Sequence, residues 1–384
     1  MNRESALPDL NELTTPALLI DNARFEHNVA RMDRQLEHLG VPLRPHLKTV
    51  KNIELARRML AGHPGGAAVS TLAEADYFFA AGIHDLLYAV GIAPGKLAEA
   101  ARRIAGGMRL TLILDHPDAA QALAEAATAR DTAFRVLLEV DADGHRAGFH
   151  PDDPALVEAA GTLTRGGATP VGVMVHAGGS YACRDRDCLV RMARQERDAA
   201  VAAARKLREA GFDAPVVSVG STPTAMFAED LTGVTEVRAG VFAFMDLVMA
   251  GLGVCQIDDV AISVLTEVIG HRSEHGQVIV DAGWMSLSRD RGTADQAIDQ
   301  GYGLVCDEAG SVLSPEVIVR ATNQEHGILA RRDGEALDAR AFPIGSRLRI
   351  LPNHACATAG QFEAMWLIDS DDETTEPLER CRGW

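Results

Sequence analysis

The sequence predicts an α/β protein: a (β/α)8 barrel over residues 16–255, preceded by a lead-in at 1–15 and followed by a mostly β domain at 256–384. Three observations predict it. Between Leu43 and Ala239 a short apolar strand followed by a helical stretch repeats eight times, the pattern of a parallel barrel. After Val254 helical periodicity gives way to alternating and β-branched runs broken by Gly, Asp and Pro. The 384 residues, 47% hydrophobic and 24% charged, suffice for a full globular core and an added domain.

The first elements follow from local pattern. Residues 1–14 read as an exposed lead-in with the option of packing against the β domain, and Pro16 to Asp21 as a short buried strand that has the option of joining it. Phe25, Val29, Met32, Leu36 and Leu39 then fall on one helical stripe that stops at Gly40. The eight barrel strands are read at 43–48, 66–71, 85–90, 109–114, 134–141, 172–178, 216–221 and 235–239. Between them lie helices such as Pro117–Arg130, with proline in the first turn, and the Ala-rich 195–211. In the second domain, strands are read at 264–270, 277–281, 311–320 and 347–351.

Composition excludes several classes. A formal net charge of −17 argues against nucleic-acid or anionic-membrane partners, which need a basic face. No apolar run approaches the length that spans a bilayer, so a cytoplasmic protein is expected. The six cysteines include no CxxC pair and fit reduced thiols. All but Cys356 read as inert.

Chemistry in such a barrel sits where strands end and βα loops begin. That rim collects His46 and Lys48, Ser70 and Thr71, Asp141, His145 and Arg146, His176 and Tyr181, Gly220 to Thr222, and Arg238 to Gly240. Lys48 ends a strand read as buried, where a charged amine must be paired, neutral or covalently used. Covalent use is the expectation. The loop Ser218-Val219-Gly220-Ser221-Thr222-Pro223-Thr224 suits a phosphate held by backbone N–H groups and hydroxyls, and equally an ordinary turn with a helix cap. His354 and Cys356 stand at i and i+2; on an extended segment both side chains share a face, as two zinc ligands would, although the spacing alone fits a buried non-ligating pair.

In their order, Pro45-His46-Leu47-Lys48-Thr49, Asp143-Gly144-His145-Arg146-Ala147-Gly148, His176-Ala177-Gly178-Gly179-Ser180-Tyr181, Gly220-Ser221-Thr222-Pro223-Thr224, Arg238-Ala239-Gly240, Asp281-Ala282-Gly283-Trp284 and Pro352-Asn353-His354-Ala355-Cys356 resemble one family. It is the D-serine dehydratase-like and D-threonine aldolase-like family of fold-type III pyridoxal-phosphate enzymes, which share the alanine racemase fold. The resemblance runs from about Thr15 to the C-terminus and is closest to the D-threo-3-hydroxyaspartate dehydratases.

The resemblance implies that Lys48 carries pyridoxal 5'-phosphate covalently and later shuttles the α-proton. It implies that Gly220, Ser221, Thr222 and Gly240 hold the phosphate, that Arg146 lies near the ring's phenolic oxygen, and that Tyr181 approaches its pyridine nitrogen. It also implies that His354 and Cys356 bind a divalent metal, Zn²⁺ by the thiolate's preference. The implied reaction is metal-dependent dehydration of a D-3-hydroxy amino acid, D-threo-3-hydroxyaspartate to oxaloacetate and ammonia or D-serine to pyruvate and ammonia. The alternatives are D-threonine aldolase and, further off, an amino-acid racemase. In the family the aldolases usually carry His-x-Asp where the dehydratases carry His-x-Cys, and position 356 is cysteine. A homodimer is expected by analogy.

Residues outside these motifs receive simpler readings. Arg146 has Asp141 and Asp143 as competing partners, His46 reads as a neutral supporting residue, and Lys51 and the acidic stretch Asp369–Glu376 read as solvated. Arg289 or Arg291 is expected to neutralise a second substrate carboxylate.

Overall fold

A computed structural model describes residues 10–369 and 375–384. Most of the solvated acidic stretch read at 369–376, and the lead-in as far as residue 9, lie outside the described residues. The chain divides into two compact units, one of Arg31–Gly240 with Cys381–Trp384, the other of Met1–Ala30 with Val241–Arg380.

In chain order the elements up to Gly240 are β1 (Ala17–Asp21), α1 (Asn22–Leu39), α2 (Ile53–Leu60), β2 (Ala67–Val69), α3 (Leu72–Ala80), β3 (Asp85–Gly91), α4 (Leu97–Ala105) and β4 (Arg109–Leu114). There follow α5 (Pro117–Arg130), β5 (Arg135–Val140), α6 (Pro154–Arg165), β6 (Thr169–Val175), α7 (Arg186–Glu209), β7 (Val216–Val219), α8 (Thr222–Phe227) and β8 (Glu236–Val237).

Strands β2 to β8 form one parallel sheet in sequence order. The first predicted barrel strand is an extended segment rather than a full strand, because prolines at 42 and 45 cannot donate to a ladder. It still closes the ring: Arg44 N donates to Val237 O, His46 N to Ala239 O and Leu47 N to Ala68 O, all at 2.8–2.9 Å. Inside, Ala68, Leu87, Ile113, Leu137, Val171 and Met174 form an apolar layer. Polar residues lie in the same ring of strands. Arg44 pairs with Glu236 at 2.8 Å and Asp85 at 2.9 Å. Ser218 Oγ donates to Glu236 at 2.6 Å and accepts from buried Arg238 at 2.6 Å. Outside, α7 lays a stripe of small residues, Ala193, Ala200, Ala203 and Ala204, against the sheet.

The second unit continues with α9 (Leu247–Gly251), β9 (Ile262–Arg272), β10 (Gln277–Val280), α10 (Trp284–Leu287), β11 (Leu304–Cys306) and β12 (Val317–Thr322). It ends with β13 (Gly327–Arg331), β14 (Arg347–Leu351), α11 (Ala355–Ala359), β15 (Ala364–Ile368) and β16 (Thr375–Glu379). The strands run β10-β13-β12-β11-β14-β9-β1-β15-β16, and β9 also pairs with β10, so six of them close an antiparallel barrel. β1 lies in this sheet, antiparallel to β9 and parallel to β15.

The unit begins at Val241, earlier than the change in pattern near 255. Leu247 N and Val248 N donate to Pro352 O and Asn353 O, which ties 241–254 to the strand β14 end. The described end of the lead-in packs within this unit. Leu13 is buried with Ala17, Leu19 and Leu265, and Arg347 donates to Leu10 O and Leu13 O at 2.6 and 2.9 Å.

Two further expectations are corrected. Cys183 and Cys188 form a disulfide across the cap of α7, where Asp185 accepts from Cys188 N at 2.7 Å and turns the chain back on itself. Lys51 pairs with buried Glu74 at 3.1 Å instead of facing water.

Candidate functional site

The barrel rim gathers the predicted residues around the turn at 46–50. Lys48 follows the extended segment directly and is exposed, so burial does not force its use as the sequence reading supposed. Its surroundings single it out instead. Burial and the charges of Lys48 and Arg238, with His176 also close, hold His46 well below the usual imidazole range. Burial likewise lowers His176 to about 4, against a hydrogen bond to Gly220 O at 2.9 Å and with Arg146, Arg238 and Lys48 nearby. Two neutral imidazoles thus sit among cations, an environment suited to an anion.

Tyr181, exposed, lies with its ring centroid 6.4 Å from that of His176. Arg146 pairs with neither Asp141 nor Asp143. Those carboxylates accept backbone N–H groups, Asp141 from Asp143 and Gly144, Asp143 from His145 and Gly179. Arg146 approaches Glu139 of β5 at 3.5 Å, and burial raises that carboxyl while the guanidinium opposes the rise.

The loop at 218–224 has the helix cap that its sequence allowed. Ser221 caps α8 and forms a capping box with Thr224, so its hydroxyl accepts from Thr224 N at 3.2 Å. Gly220 has φ +137, and a Cβ there would lie 2.1 Å from Arg238 O. At Gly240 a Cβ would lie 2.6 Å from His46 O and 3.2 Å from Thr49 Oγ1. Both positions require glycine to let backbone pass close to backbone, which brings 220–222 and 238–240 to the Lys48 turn. Buried hydroxyls of Ser180, Ser221, Thr222 and Thr224 line this corner. The fit for a phosphate rests on these close approaches and on the first-turn N–H groups of α8.

In the second unit, His354 and Cys356 are not on an extended segment. His354 caps α11 with φ −135 and ψ 106, and Cys356 lies in its first turn. Buried Asp246 starts that helix by accepting from Ala355 N at 2.9 Å. The side chains converge nonetheless: burial opposes the charge on His354, but the Asp290 hydrogen bond, Cys356 and Asp246 outweigh it and push the imidazole up to about 11. His354 Nδ1 meets Asp290 Oδ2 at 2.6 Å, the usual carboxylate–histidine arrangement, and Cys356 also hydrogen-bonds the imidazole, so the two candidate ligands lie within reach of each other. Among the described residues no third His, Cys, Asp or Glu completes a ligand set. A nitrogen, a sulfur and open positions for water or substrate fit a Lewis-acid metal.

Sequence reasoning missed Glu139, Glu196, Asp246 and Asp290 as supports. Glu139 in Leu-Leu-Glu-Val carried a signal, a carboxylate inside an apolar strand; Glu196, which accepts from Ala177 N at 2.8 Å, and Asp246 carried none.

Residues 20–248 match the family model described as alanine racemase, N-terminal domain, and residues 261–368 match a putative serine dehydratase domain. The chain is 52% identical over 375 residues to D-threo-3-hydroxyaspartate dehydratase of Delftia sp. (strain HT23), covering 97% of this chain and 98% of that protein. The chain belongs to the D-serine dehydratase-like family of the alanine racemase fold. Within that family it is 28% identical to D-serine dehydratase of Dictyostelium discoideum, over 98% of each chain. It is also 28% identical to D-threonine aldolase of Arthrobacter sp., over 94% of this chain and 90% of that one.

Two solved structures of D-threo-3-hydroxyaspartate dehydratase variants superpose with TM-score 0.96 at 50% identity, each covering 98% of this chain and 97% or 100% of the other. One variant has a histidine replaced by alanine. The other has a cysteine two positions further on replaced and is described as metal-free. His354 and Cys356 have the same spacing.

Proposed function

We propose that this protein is a pyridoxal-phosphate- and zinc-dependent dehydratase that converts D-threo-3-hydroxyaspartate to oxaloacetate and ammonia, with D-serine as a second substrate. The observation that carries the reading is the His354–Cys356 pair backed by Asp290, in a chain 52% identical to a D-threo-3-hydroxyaspartate dehydratase. A thiolate donor favours Zn²⁺ over harder cations.

Lys48 is the covalent anchor of the cofactor, supported by its place in the Pro45-His46-Leu47-Lys48-Thr49 motif and by the cationic, imidazole-lined rim around it. Gly220, Ser221, Thr222 and Gly240 hold the phosphate, chiefly through backbone N–H groups, because the Ser221 hydroxyl is already engaged in its capping box. Arg146, held by Glu139 at 3.5 Å, would serve the ring's phenolic oxygen, and Tyr181 would serve its pyridine nitrogen. When bound, pyridoxal phosphate supplies an electron sink for the α-carbon, and Zn²⁺ supplies a Lewis acid that eases loss of the β-hydroxyl.

The residues perform the remaining work. Lys48, as a free amine, takes the α-proton. His46 and His176, held neutral, add no charge to the rim. Tyr181 would give the ring nitrogen a phenol rather than a carboxylate partner, and His354 and Cys356 would hold the metal that assists departure of the hydroxyl. The α-proton and β-hydroxyl leave as water, and hydrolysis then returns one water and releases ammonia, so the net change is substrate to 2-oxo acid plus ammonia.

Borohydride reduction of the pyridoxal-phosphate-loaded protein followed by peptide mapping tests the anchor. Label on Lys48, and its loss in K48A with about 10²–10⁴-fold lower activity, is expected. Label on another lysine contradicts the assignment. By the same family analogy the protein is a homodimer, and sedimentation should give twice the 41.0 kDa chain mass.

A further inference from the structure

We infer a carboxylate subsite at Arg289 that reads the second carboxylate of the substrate, resting on the dehydratase reading above. In D-3-hydroxyaspartate the hydroxyl and the C4 carboxylate are attached to the same carbon. Whatever group reads that carboxylate must therefore lie beside the group that assists the hydroxyl. D-Serine has only hydrogen there, and makes no such demand.

Two arginines flank Asp290, the residue that orients His354, and the structure separates them. Arg291 is committed: its guanidinium meets Asp299 at 2.6 Å and lies 5.1 Å from the Tyr302 ring centroid. Arg289 has no carboxylate partner among the described residues. It is exposed, and its guanidinium carbon lies 4.1 Å over the centre of the Trp284 ring. A guanidinium over an aromatic face is held by its charge and flat surface, which leaves the N–H donors at its edge for a bidentate carboxylate.

The backbone fixes Arg289 beside Asp290. Ser288, buried, has φ 69 and ψ 171, a region that side-chain-bearing residues rarely occupy, and its hydroxyl accepts from Asp290 N at 3.2 Å. This sharp turn after the single-turn helix α10 presents Arg289 above Trp284 and Asp290 towards His354 in consecutive residues. Strain of this kind is kept where a site needs it.

The test compares wild type, R289A and R289K on D-threo-3-hydroxyaspartate and D-serine, with succinate binding to the zinc-loaded protein followed by calorimetry. R289A should lower kcat/KM for hydroxyaspartate about 10- to 100-fold, mostly through KM, from loss of a charge-assisted pair. Its kcat/KM for D-serine should stay within about threefold of wild type. Succinate binding should weaken in step, and R289K should recover part of the loss. An equal fall on both substrates, or an unchanged KM for hydroxyaspartate, overturns the subsite. If wild type produces 2-oxo acid from neither substrate, the dehydratase reading fails instead; succinate binding that depends on Arg289 would then still stand.

Discussion

Asp290 decides how His354 is presented. Its carboxylate takes Nδ1 at 2.6 Å, so a metal would have to take the imidazole through Nε2, alongside Cys356, which also hydrogen-bonds the ring. Replacing Asp290 by alanine should weaken zinc retention about 10- to 100-fold with the fold intact, read by metal content after dialysis against graded chelator. Unchanged retention would remove Asp290 from the metal's support. His176 makes a separate prediction through its acid–base behaviour. Folding lowers it from 6.5 to about 4, so between those values the unfolded chain binds the extra proton. The sign is then fixed: this residue's contribution is complete above about pH 6.5 and is lost as pH falls towards 4. The variant H176N should show a flatter loss of stability over that window by denaturant titration. Groups facing His176 that bear on the result are His46, Lys48, Arg146 and Arg238.

Among the elements, the turns at Gly220 and Gly240 bind the barrel's late strands to the Lys48 segment. An alanine at Gly240 would press its Cβ to 2.6 Å from His46 O, and at Gly220 to 2.1 Å from Arg238 O with φ +137. Each should cost about 1–3 kcal/mol, seen as a lower denaturant midpoint. S221A, by contrast, should cost about 1 kcal/mol through its cap alone. A G240A protein as stable as wild type would contradict the close packing described. Local pattern made many elements legible: the stripe from Phe25 to Leu39 ends at Gly40 with φ 68, and Pro117 opens α5. It failed where pairing partners are distant in sequence. Nothing local shows that Asp246 starts the helix after His354, or that Glu139 takes Arg146 while Asp141 and Asp143 serve their own loop. For Lys48 only the motif argues, since the burial read for it does not hold.

At the scale of the whole molecule, two units carry distinct halves of the proposed chemistry, a rim of cations and neutral imidazoles around Lys48 and a histidine–cysteine pair supported by Asp290. The eightfold strand–helix repeat and the later β pattern were readable because each repeats a local period many times. The division at Gly240 and the recruitment of β1 to the β sheet were less so, since both depend on long-range backbone hydrogen bonds. No helix among the described residues is long and apolar enough to cross a membrane. Metal-assisted dehydration is tested by a product assay. The purified, pyridoxal-phosphate-loaded protein is given D-threo-3-hydroxyaspartate, D-serine and D-threonine, with chelator and with restored Zn²⁺, and products are scored. Chelator-sensitive 2-oxo acid and ammonia, greatest from hydroxyaspartate, is the predicted result. Glycine and an aldehyde, or 2-oxo acid formation indifferent to chelator, would contradict it.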